Sequence, residues 1–253
     1  MIKVVIIGSG NVAQHLIKAF AKSAIIDVIQ VFSRQKKAVT SLLDSNKITD
    51  NFNNLAEADL YIIAVSDDAI AKVSSQLPFE NRLVVHTSGS VSLDALDKKN
   101  RKGSFYPLQT FSKKAEVDFK QIPIFLESKI ETDFELLKSV AEVISEKVYK
   151  INSEQRKALH VSAVFVNNFV NHLYQIGNEI CIENKVPFEV LKPLILETAN
   201  KVMSLSPKEA QTGPAIRNDE QTIASHLDFL SDENQKNIYK TLTQSIQNNG
   251  KKL

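Results

Sequence analysis

A glycine-rich turn near residue 10 limits what this chain can fold into more than any other feature of its sequence. The residues before it, Ile2–Ile7, are almost all apolar and β-branched, which is typical of a strand buried on both faces of a sheet. The turn reads Gly8-Ser9-Gly10-Asn11-Val12-Ala13, and Asn11–Lys22 carries apolar residues at helical spacing. A buried strand, a glycine turn and an amphipathic helix in this order predict a βα unit that holds phosphates.

Each position of the turn has a physical reason that favours a bound dinucleotide. Gly8 permits the tight turn, Gly10 lets the backbone approach a pyrophosphate, and Ala13 lets the helix pack closely on the sheet. The helix N-terminus adds unpaired N–H groups and a positive dipole end. The predicted cofactor contacts from this turn are Gly8, Ser9, Gly10, Asn11, Val12 and Ala13. The alternative is a glycine-rich turn without a ligand.

The end of the second predicted strand, Val28–Phe32, indicates which dinucleotide binds. NAD-binding chains usually place an acidic residue there, which bonds the ribose 2′-hydroxyl and would repel a 2′-phosphate. This chain has Ser33 and Arg34 instead, a hydroxyl and a guanidinium that suit a phosphate. We therefore predict NADP (NADPH) rather than NAD as the cofactor. The alternative is the solvated, charged start of a helix.

Short apolar runs alternate with helical patterns over the first 150 residues. This alternation predicts an α/β fold with a doubly wound, mostly parallel Rossmann sheet, whose ligands bind beyond the carboxyl ends of the strands. The predicted strands are Ile2–Ile7, Val28–Phe32, Lys47–Thr49, Leu60–Val65, Leu83–His86, Gly103–Tyr106, Ile122–Leu126 and Lys147–Lys150. Predicted helices in this half include Gln35–Leu43 and Thr132–Ser145.

The strand patterns stop after Asn152. We predict an NADP-binding Rossmann domain over residues 1–152 and a smaller all-helical domain over residues 153–253, which binds substrate or forms a dimer. The helices predicted in the second half are Ser153–Glu183 with Ser153 as its N-cap, a helix from Pro187 to about Leu205, Asp219–Leu230 and Asp232–Asn248.

The chain resembles the Rossmann-like oxidoreductases that carry a helical C-terminal domain of uncharacterised function, a group similar to pyrroline-5-carboxylate reductase and to hydroxyisobutyrate dehydrogenases. The segments that carry the resemblance are residues 8–13, Ala64-Val65-Ser66-Asp67, Val85-His86-Thr87-Ser88-Gly89-Ser90, Tyr106-Pro107-Leu108-Gln109-Thr110-Phe111, the helix from His160 to Phe169, and Thr212-Gly213-Pro214. The resemblance implies cofactor contacts from the turns after the fourth and fifth strands, here Val65, Ser66, Thr87 and Ser88. It also implies a homodimer through the helical domain.

The turn after the fifth strand has a second interpretation. The hydroxyls and backbone N–H groups of Thr87-Ser88-Gly89-Ser90 could hold a carboxylate or the carboxamide of a nicotinamide. Equally, Ser90 or Ser92 could simply cap a helix, since serine favours caps.

A polar stripe on the first helix of the second half predicts a catalytic role. His160, Asn167 and Asn171 are spaced by seven and four residues, which places them on one helical face. His160 could donate a proton as general acid while the asparagines orient the substrate. In hydroxyisobutyrate dehydrogenases a lysine on this helix is the acid; here Lys157 lies one turn before His160. The alternative is a buried polar network that serves structure.

Arg217, in the segment that follows Gly213-Pro214, could bind an anionic substrate, or it could pair with Asp219 at the surface. We therefore predict an NADP-dependent oxidoreductase that transfers a hydride to or from a small polar, anionic substrate at a cleft between the domains. A non-catalytic NADP-binding sensor or scaffold is the alternative. Hydride exchange between NADP and a deazaflavin is a third possibility, which only the descriptions given to related proteins suggest.

Composition excludes several other classes of protein. A net charge of +2 without a dense basic stripe argues against nucleic-acid binding, and the apolar runs are too short to span a membrane. The single cysteine, Cys181, suits a reducing compartment, and the first residues do not read as a secretory signal. The five histidines lack zinc-ligand spacing. We expect a cytoplasmic protein whose partners are a small-molecule substrate and a second copy of itself.

Overall fold

Eight strands form one sheet in the computed structural model of the protein, which describes residues 1–112 and 116–250 of the chain. The strands are β1 (Ile2–Ile7), β2 (Ile26–Phe32), β3 (Ile48–Thr49), β4 (Leu60–Ile63), β5 (Leu83–His86), β6 (Arg101–Pro107), β7 (Ile124–Ser128) and β8 (Val148–Lys150). Their order across the sheet is β3-β2-β1-β4-β5-β6-β7-β8. Every neighbouring pair is parallel except β6 and β7, so the predicted doubly wound, mostly parallel α/β fold is confirmed.

Residues 4–7 of strand β1 are buried on both faces, as its largely apolar sequence predicts. Val4 and Ile6 pack in one apolar cluster with residues of helix α1 (Asn11–Phe20) and helix α3 (Glu131–Ile144). Val5 and Ile7 face a second cluster, which includes Ile70 at the start of helix α2 (Ile70–Ser75). Each such buried side chain contributes roughly 1.5–3 kcal/mol by leaving water. This core holds fixed the strand that ends at Gly8.

One predicted helix in the first half is wrong. Gln35–Leu43 forms only a 3₁₀ turn over Lys36–Ala38, followed by further turns. No side chain caps its start, and the basic residues Lys36 and Lys37 lie where the helix dipole disfavours positive charge. The ammonium of Lys36 instead pairs with the carboxylate of Asp50 at 3.0 Å.

The second half of the described chain is helical, as predicted, but its first helix differs from the expectation. It comprises α4 (Ser153–Ala163), a π-helical turn over Val164–Phe169 and α5 (Val170–Glu183). The cap is Asn152 rather than Ser153, because the Asn152 side chain accepts from the Gln155 N–H in a reciprocal capping box. The remaining helices are α6 (Lys192–Ser204), α7 (Glu220–Phe229) and α8 (Glu233–Gly250), and a 3₁₀ turn over Phe188–Leu191 follows Pro187.

Two compact units divide the chain between Val164 and Phe165, whereas the sequence places a boundary after Asn152. Helix α4 belongs to the first unit because Arg156, only 1% exposed, fixes it to the sheet. The Arg156 guanidinium donates to the Glu127 carboxylate at 3.0 Å, to the Ser88 carbonyl at 2.9 Å and to the Val91 carbonyl at 2.7 Å. One buried side chain thereby joins α4, β7 and the turn after β5.

We predict that Arg156→Gln lowers the free energy of unfolding by about 3 kcal/mol, because the substitution leaves the half-buried Glu127 charge and two carbonyls without their partner. Urea unfolding followed by far-UV circular dichroism measures this, since the chain has no tryptophan to report by fluorescence. The neighbouring Lys157 is exposed, so Lys157→Gln is the control and should change stability by less than about 0.5 kcal/mol. Equal losses in the two variants would contradict the role of Arg156.

Candidate functional site

A cleft of about 1060 Å³ opens at the carboxyl ends of β1, β2, β4 and β5. It lies where the strand order reverses between β1 and β4, the position at which doubly wound sheets bind their ligands. The predicted cofactor contacts that line it are Gly8, Ser9, Gly10, Asn11, Val12, Ser33, Arg34, Val65, Ser66 and Thr87. Ala13 and Ser88, the other two predicted contacts, are buried and do not appear in the lining.

The two glycines of the turn act in different ways. Gly8 has φ +135°, and a Cβ built on it would lie 2.1 Å from the carbonyl oxygen of Ala64, so no other residue fits between β1 and β4. A Cβ on Gly10 would meet no atom within 4 Å, which leaves open space in front of the backbone. Gly10 is also the N-cap of α1, with no side chain bonded to the first N–H groups and no acid in the first turn. These features fit a pyrophosphate.

Two cations border the cleft at the end of β2 and on α2. Arg34 is exposed and lines the cleft, whereas Ser33 is buried and its hydroxyl accepts from the Gln35 N–H at 3.1 Å. Lys72 also lines the cleft, together with Gln76 one helical turn further on. Sequence reasoning missed Lys72 and Gln76, although their spacing of four residues in the helix after β4 places them on one face. The pair of cations suits a phosphate group.

The segment after β6 forms another wall of the cleft through Gln109 and Phe111. It is tied to helix α1, since the Asn11 side-chain amide donates to the Phe111 carbonyl at 2.7 Å. His15 Nε2 lies 2.9 Å from the carbonyl of Ser112. The motif Tyr106–Phe111 carries the family resemblance, but the sequence assigned no contact to it.

The turn after β5 uses its serines mainly for its own structure. The Ser88 hydroxyl accepts from the N–H groups of Ser90 and Val91, each at 3.1 Å, so it closes the turn. Ser90 donates to the carboxylate of Asp67 at 2.5 Å, and Ser92 caps the short 3₁₀ turn Leu93–Ala95. Of the two interpretations of this segment, the observed hydrogen bonds favour the structural one for Ser88, while Thr87 lines the cleft.

A buried histidine supports the same turn. His86 is fully buried and its Nδ1 accepts from the Ser88 N–H at 3.2 Å. Burial, together with the nearby positive charge of Arg156, lowers the pKa of His86 to about 3. His86 is therefore neutral near pH 7 and acts as a hydrogen-bond acceptor within the fold.

His160 lies in the first unit and contacts a tyrosine that the sequence did not single out. The Tyr106 hydroxyl is 3.0 Å from His160 Nδ1, and the two rings meet edge to face at 6.0 Å. A Cβ on Gly89 would come within 2.6 Å of His160 Nδ1 and 2.7 Å of the Tyr106 ring. The pair therefore packs directly on the backbone of the turn after β5.

The other predicted catalytic residues belong to the second unit. Asn167 and Asn171 are exposed, and Asn167 lies within the π-helical turn, where i→i+5 bonding departs from the spacing that defined the polar stripe. Arg217 is exposed and precedes α7, whose N-cap is Asp219. The structure thus assigns His160 to a different unit from these three residues.

Neither a metal site nor a membrane span is found in the part of the chain that the structure describes. No group of three or more histidine, cysteine, aspartate or glutamate side chains there could hold a metal ion. No described helix is long and apolar enough to cross a membrane.

Comparisons with known proteins agree with this geometry. The family model described as "NADP oxidoreductase coenzyme F420-dependent" matches residues 3–89, and a domain of unknown function, DUF2520, matches residues 122–246. The crystal structure of a putative NADP oxidoreductase from Bacteroides fragilis is 40% identical over 98% of both chains, with a TM-score of 0.87. No curated protein matches the chain significantly.

More distant structures share the fold alone. A Thermotoga maritima protein is 21% identical over 98% of this chain and 99% of its own, with a TM-score of 0.78. An imine reductase from Myxococcus stipitatus, solved in complex with NADP+, is 16% identical over 99% of this chain and 93% of its own, with a TM-score of 0.64.

Proposed function

Because this chain belongs to the family of Rossmann-like NADP oxidoreductases with a helical C-terminal domain of unknown function, we propose that it transfers a hydride between NADP and a small polar, anionic substrate. The observation that carries the proposal is the cleft at the switch point of the sheet, with Gly8 and Gly10 at one wall and Arg34 on its lining. The Bacteroides fragilis relative, described as a putative NADP oxidoreductase, supports the same assignment.

The residues of the cleft suit the pyrophosphate and the 2′-phosphate of NADP. The open backbone at Gly10 and the uncapped start of α1 would hold the pyrophosphate. Arg34 and Lys72 would hold the 2′-phosphate, which NAD lacks. When bound, the nicotinamide would supply or accept the hydride. The imine reductase that shares this fold was solved in complex with NADP+, which supports NADP as the cofactor.

Replacing Arg34 tests the choice of cofactor. We expect Arg34→Ala to weaken NADPH binding by roughly tenfold to a hundredfold, because a charge-assisted hydrogen bond contributes about 1.5–3 kcal/mol, and to leave NADH binding unchanged. Isothermal titration calorimetry with both nucleotides measures this. Lys37, exposed three residues away and absent from the cleft lining, provides the control Lys37→Ala. No binding of either nucleotide to the wild type would overturn the proposed function.

His160 is our candidate for the group that acts on the substrate. In the reductive direction, a hydride would add to a carbonyl or imine carbon while the negative oxygen or nitrogen receives a hydrogen bond and then a proton. The half-buried ring of His160 could donate that hydrogen bond through an N–H group, and in its imidazolium form it could also supply the proton. The roles of Asn167 and Asn171 in orienting the substrate, and of Arg217 in binding its charge, remain predictions from the sequence.

A measurement of enzymatic turnover distinguishes the proposed oxidoreductase from a non-catalytic NADP-binding sensor. A screen of small oxo acids and imino acids with NADPH, followed by loss of nicotinamide absorbance, should find an acceptor. His160→Ala should then lower kcat by roughly 10²–10⁴-fold with the Kd for NADPH unchanged, while the exposed His172 gives the control His172→Ala. The sensor alternative predicts no turnover with any acceptor, but an NADPH-dependent change of molecular mass in light scattering.

A deazaflavin is the second candidate acceptor. The family model over residues 3–89 names coenzyme F420, and hydride exchange between NADP and a deazaflavin would use the same cleft. Coenzyme F420 therefore belongs in the acceptor screen. Turnover with coenzyme F420 and with none of the acids would favour this candidate over a small anionic substrate.

We also propose that the helical unit forms a homodimer. Large apolar side chains stand exposed on its helices, among them Leu194, Leu196 and Met203, the last 86% exposed. Leu196 and Met203 lie seven residues apart on α6, which places them on one helical face, and exposed apolar surface often marks an interface. Light scattering should give twice the chain mass of 28.3 kDa, and Leu196→Glu combined with Met203→Glu should give the monomer, unlike the control Lys208→Glu. A monomeric wild type at micromolar concentration would contradict this proposal.

A further inference from the structure

The surroundings of Tyr106 and His160 determine which of the two side chains donates the hydrogen bond between them. Tyr106 is 8% exposed and comes from β6, where its backbone pairs with Phe125 of β7. Burial raises the pKa of the Tyr106 phenol above its ordinary value, so the hydroxyl keeps its proton throughout the neutral range. The phenol is therefore a hydrogen-bond donor that must find an acceptor.

Among the residues that the structure describes, His160 Nδ1 is the acceptor recorded for this phenol, at 3.0 Å. A neutral imidazole carries one proton, on either Nδ1 or Nε2. With the proton on Nδ1, two donors would face each other unless the phenol proton turned away, and it would then have no acceptor among the described residues. With the proton on Nε2, Nδ1 accepts from the phenol and both groups are satisfied. A buried donor without an acceptor costs about 1–3 kcal/mol, so the second arrangement dominates.

Packing against the turn after β5 holds the side chains of Tyr106 and His160 in place. Arg156 and His160 are four residues apart on α4 and share a face, and the buried Arg156 guanidinium fixes that face to the turn after β5. Gly89 of the same turn leaves no room for a Cβ beside the two rings. The imidazole thus has little freedom to rotate or to exchange its partner.

We propose that Tyr106 is a positioning residue that fixes His160 in the tautomer with hydrogen on Nε2. The neutral ring then presents an N–H donor, and the substrate group that meets it is a hydrogen-bond acceptor such as a carbonyl oxygen or an imine nitrogen. The role toward substrate rests on the proposed oxidoreductase function, whereas the tautomer is a property of the protein without any ligand.

A second tyrosine–histidine pair in the chain provides a matched comparison. The Tyr239 hydroxyl lies 2.8 Å from His226 Nδ1, and the rings again meet edge to face, at 5.7 Å. His226 is exposed, so water can replace the tyrosine as a partner of either nitrogen. The two pairs share their contact geometry and differ in burial.

The test is a long-range ¹H–¹⁵N nuclear magnetic resonance spectrum of the ligand-free protein with ¹⁵N-labelled histidine, recorded at alkaline pH in the range where the histidine signals no longer change with pH. His160 is assigned by the loss of its signals in His160→Gln. We expect a protonated Nε2 and an unprotonated Nδ1 for His160 in the wild type. Tyr106→Phe should produce a mixture of tautomers at His160, while Tyr239→Phe should leave His160 unchanged.

The wild-type spectrum is decisive even if Tyr106→Phe fails to fold, because a proton on Nδ1 of His160 would overturn the proposal. An unchanged tautomer in a folded Tyr106→Phe variant would overturn it as well. Gly89→Ala retains the phenol but places a Cβ against both rings, so it should also produce a mixture of tautomers at His160. The spectrum needs neither cofactor nor substrate, so it tests the tautomer independently of enzymatic activity. Absence of turnover with every acceptor would reject the proposed oxidoreductase function but would leave the tautomer assignment intact.

Discussion

The buried guanidinium of Arg156 is the interaction on which the candidate site depends. It joins the carboxylate of Glu127 on β7 to two carbonyls of the turn after β5 and, through its own backbone, to helix α4. A charge 1% exposed is stable in a protein only when it is paired and hydrogen-bonded on several sides, so these partners must be present together. The same charge helps to keep His86 neutral, which lets that ring accept the Ser88 N–H. Sheet, turn and helix therefore form one rigid support beneath His160.

A second constraint acts at the switch point of the sheet. The connections from β1 and β4 run to opposite halves of the sheet there, and the chain can leave β1 only by passing close to the Ala64 carbonyl, which requires a glycine at position 8. The N-terminus of α1 then meets the open side of the cleft with unsatisfied N–H groups. Geometry that the backbone alone imposes thus creates the candidate phosphate site, and under the proposed function side chains such as Arg34 and Lys72 would determine which phosphates it prefers.

The sequence allows the sheet to be predicted because its signals are local: largely apolar strands, a glycine turn and amphipathic helices. The predicted helix over Gln35–Leu43 is wrong because the helical pattern does not account for the unfavourable positive charge at its start. The spacing of Lys72 and Gln76 places them on one helical face, but only the packing of the whole sheet shows that this face borders the cleft. The Tyr106–His160 contact could not be found, since the two residues are 54 positions apart and Tyr106 reads as an ordinary strand residue. Local patterns predict elements, whereas contacts across the chain need the fold.

Two strand ends connect the cofactor cleft to the candidate donor. After β5, Thr87 lines the cleft while Gly89, two residues later, lies against the rings of Tyr106 and His160. At the end of β6 the order along the chain is reversed: Tyr106, still within the strand, contacts the histidine, and Gln109 and Phe111 beyond the strand line the cleft. Because these strands are neighbours in a parallel arrangement, both turns emerge at the same edge of the sheet. The candidate donor to substrate and a wall of the candidate cofactor cleft therefore come from adjacent positions, so a movement of either turn would alter both together.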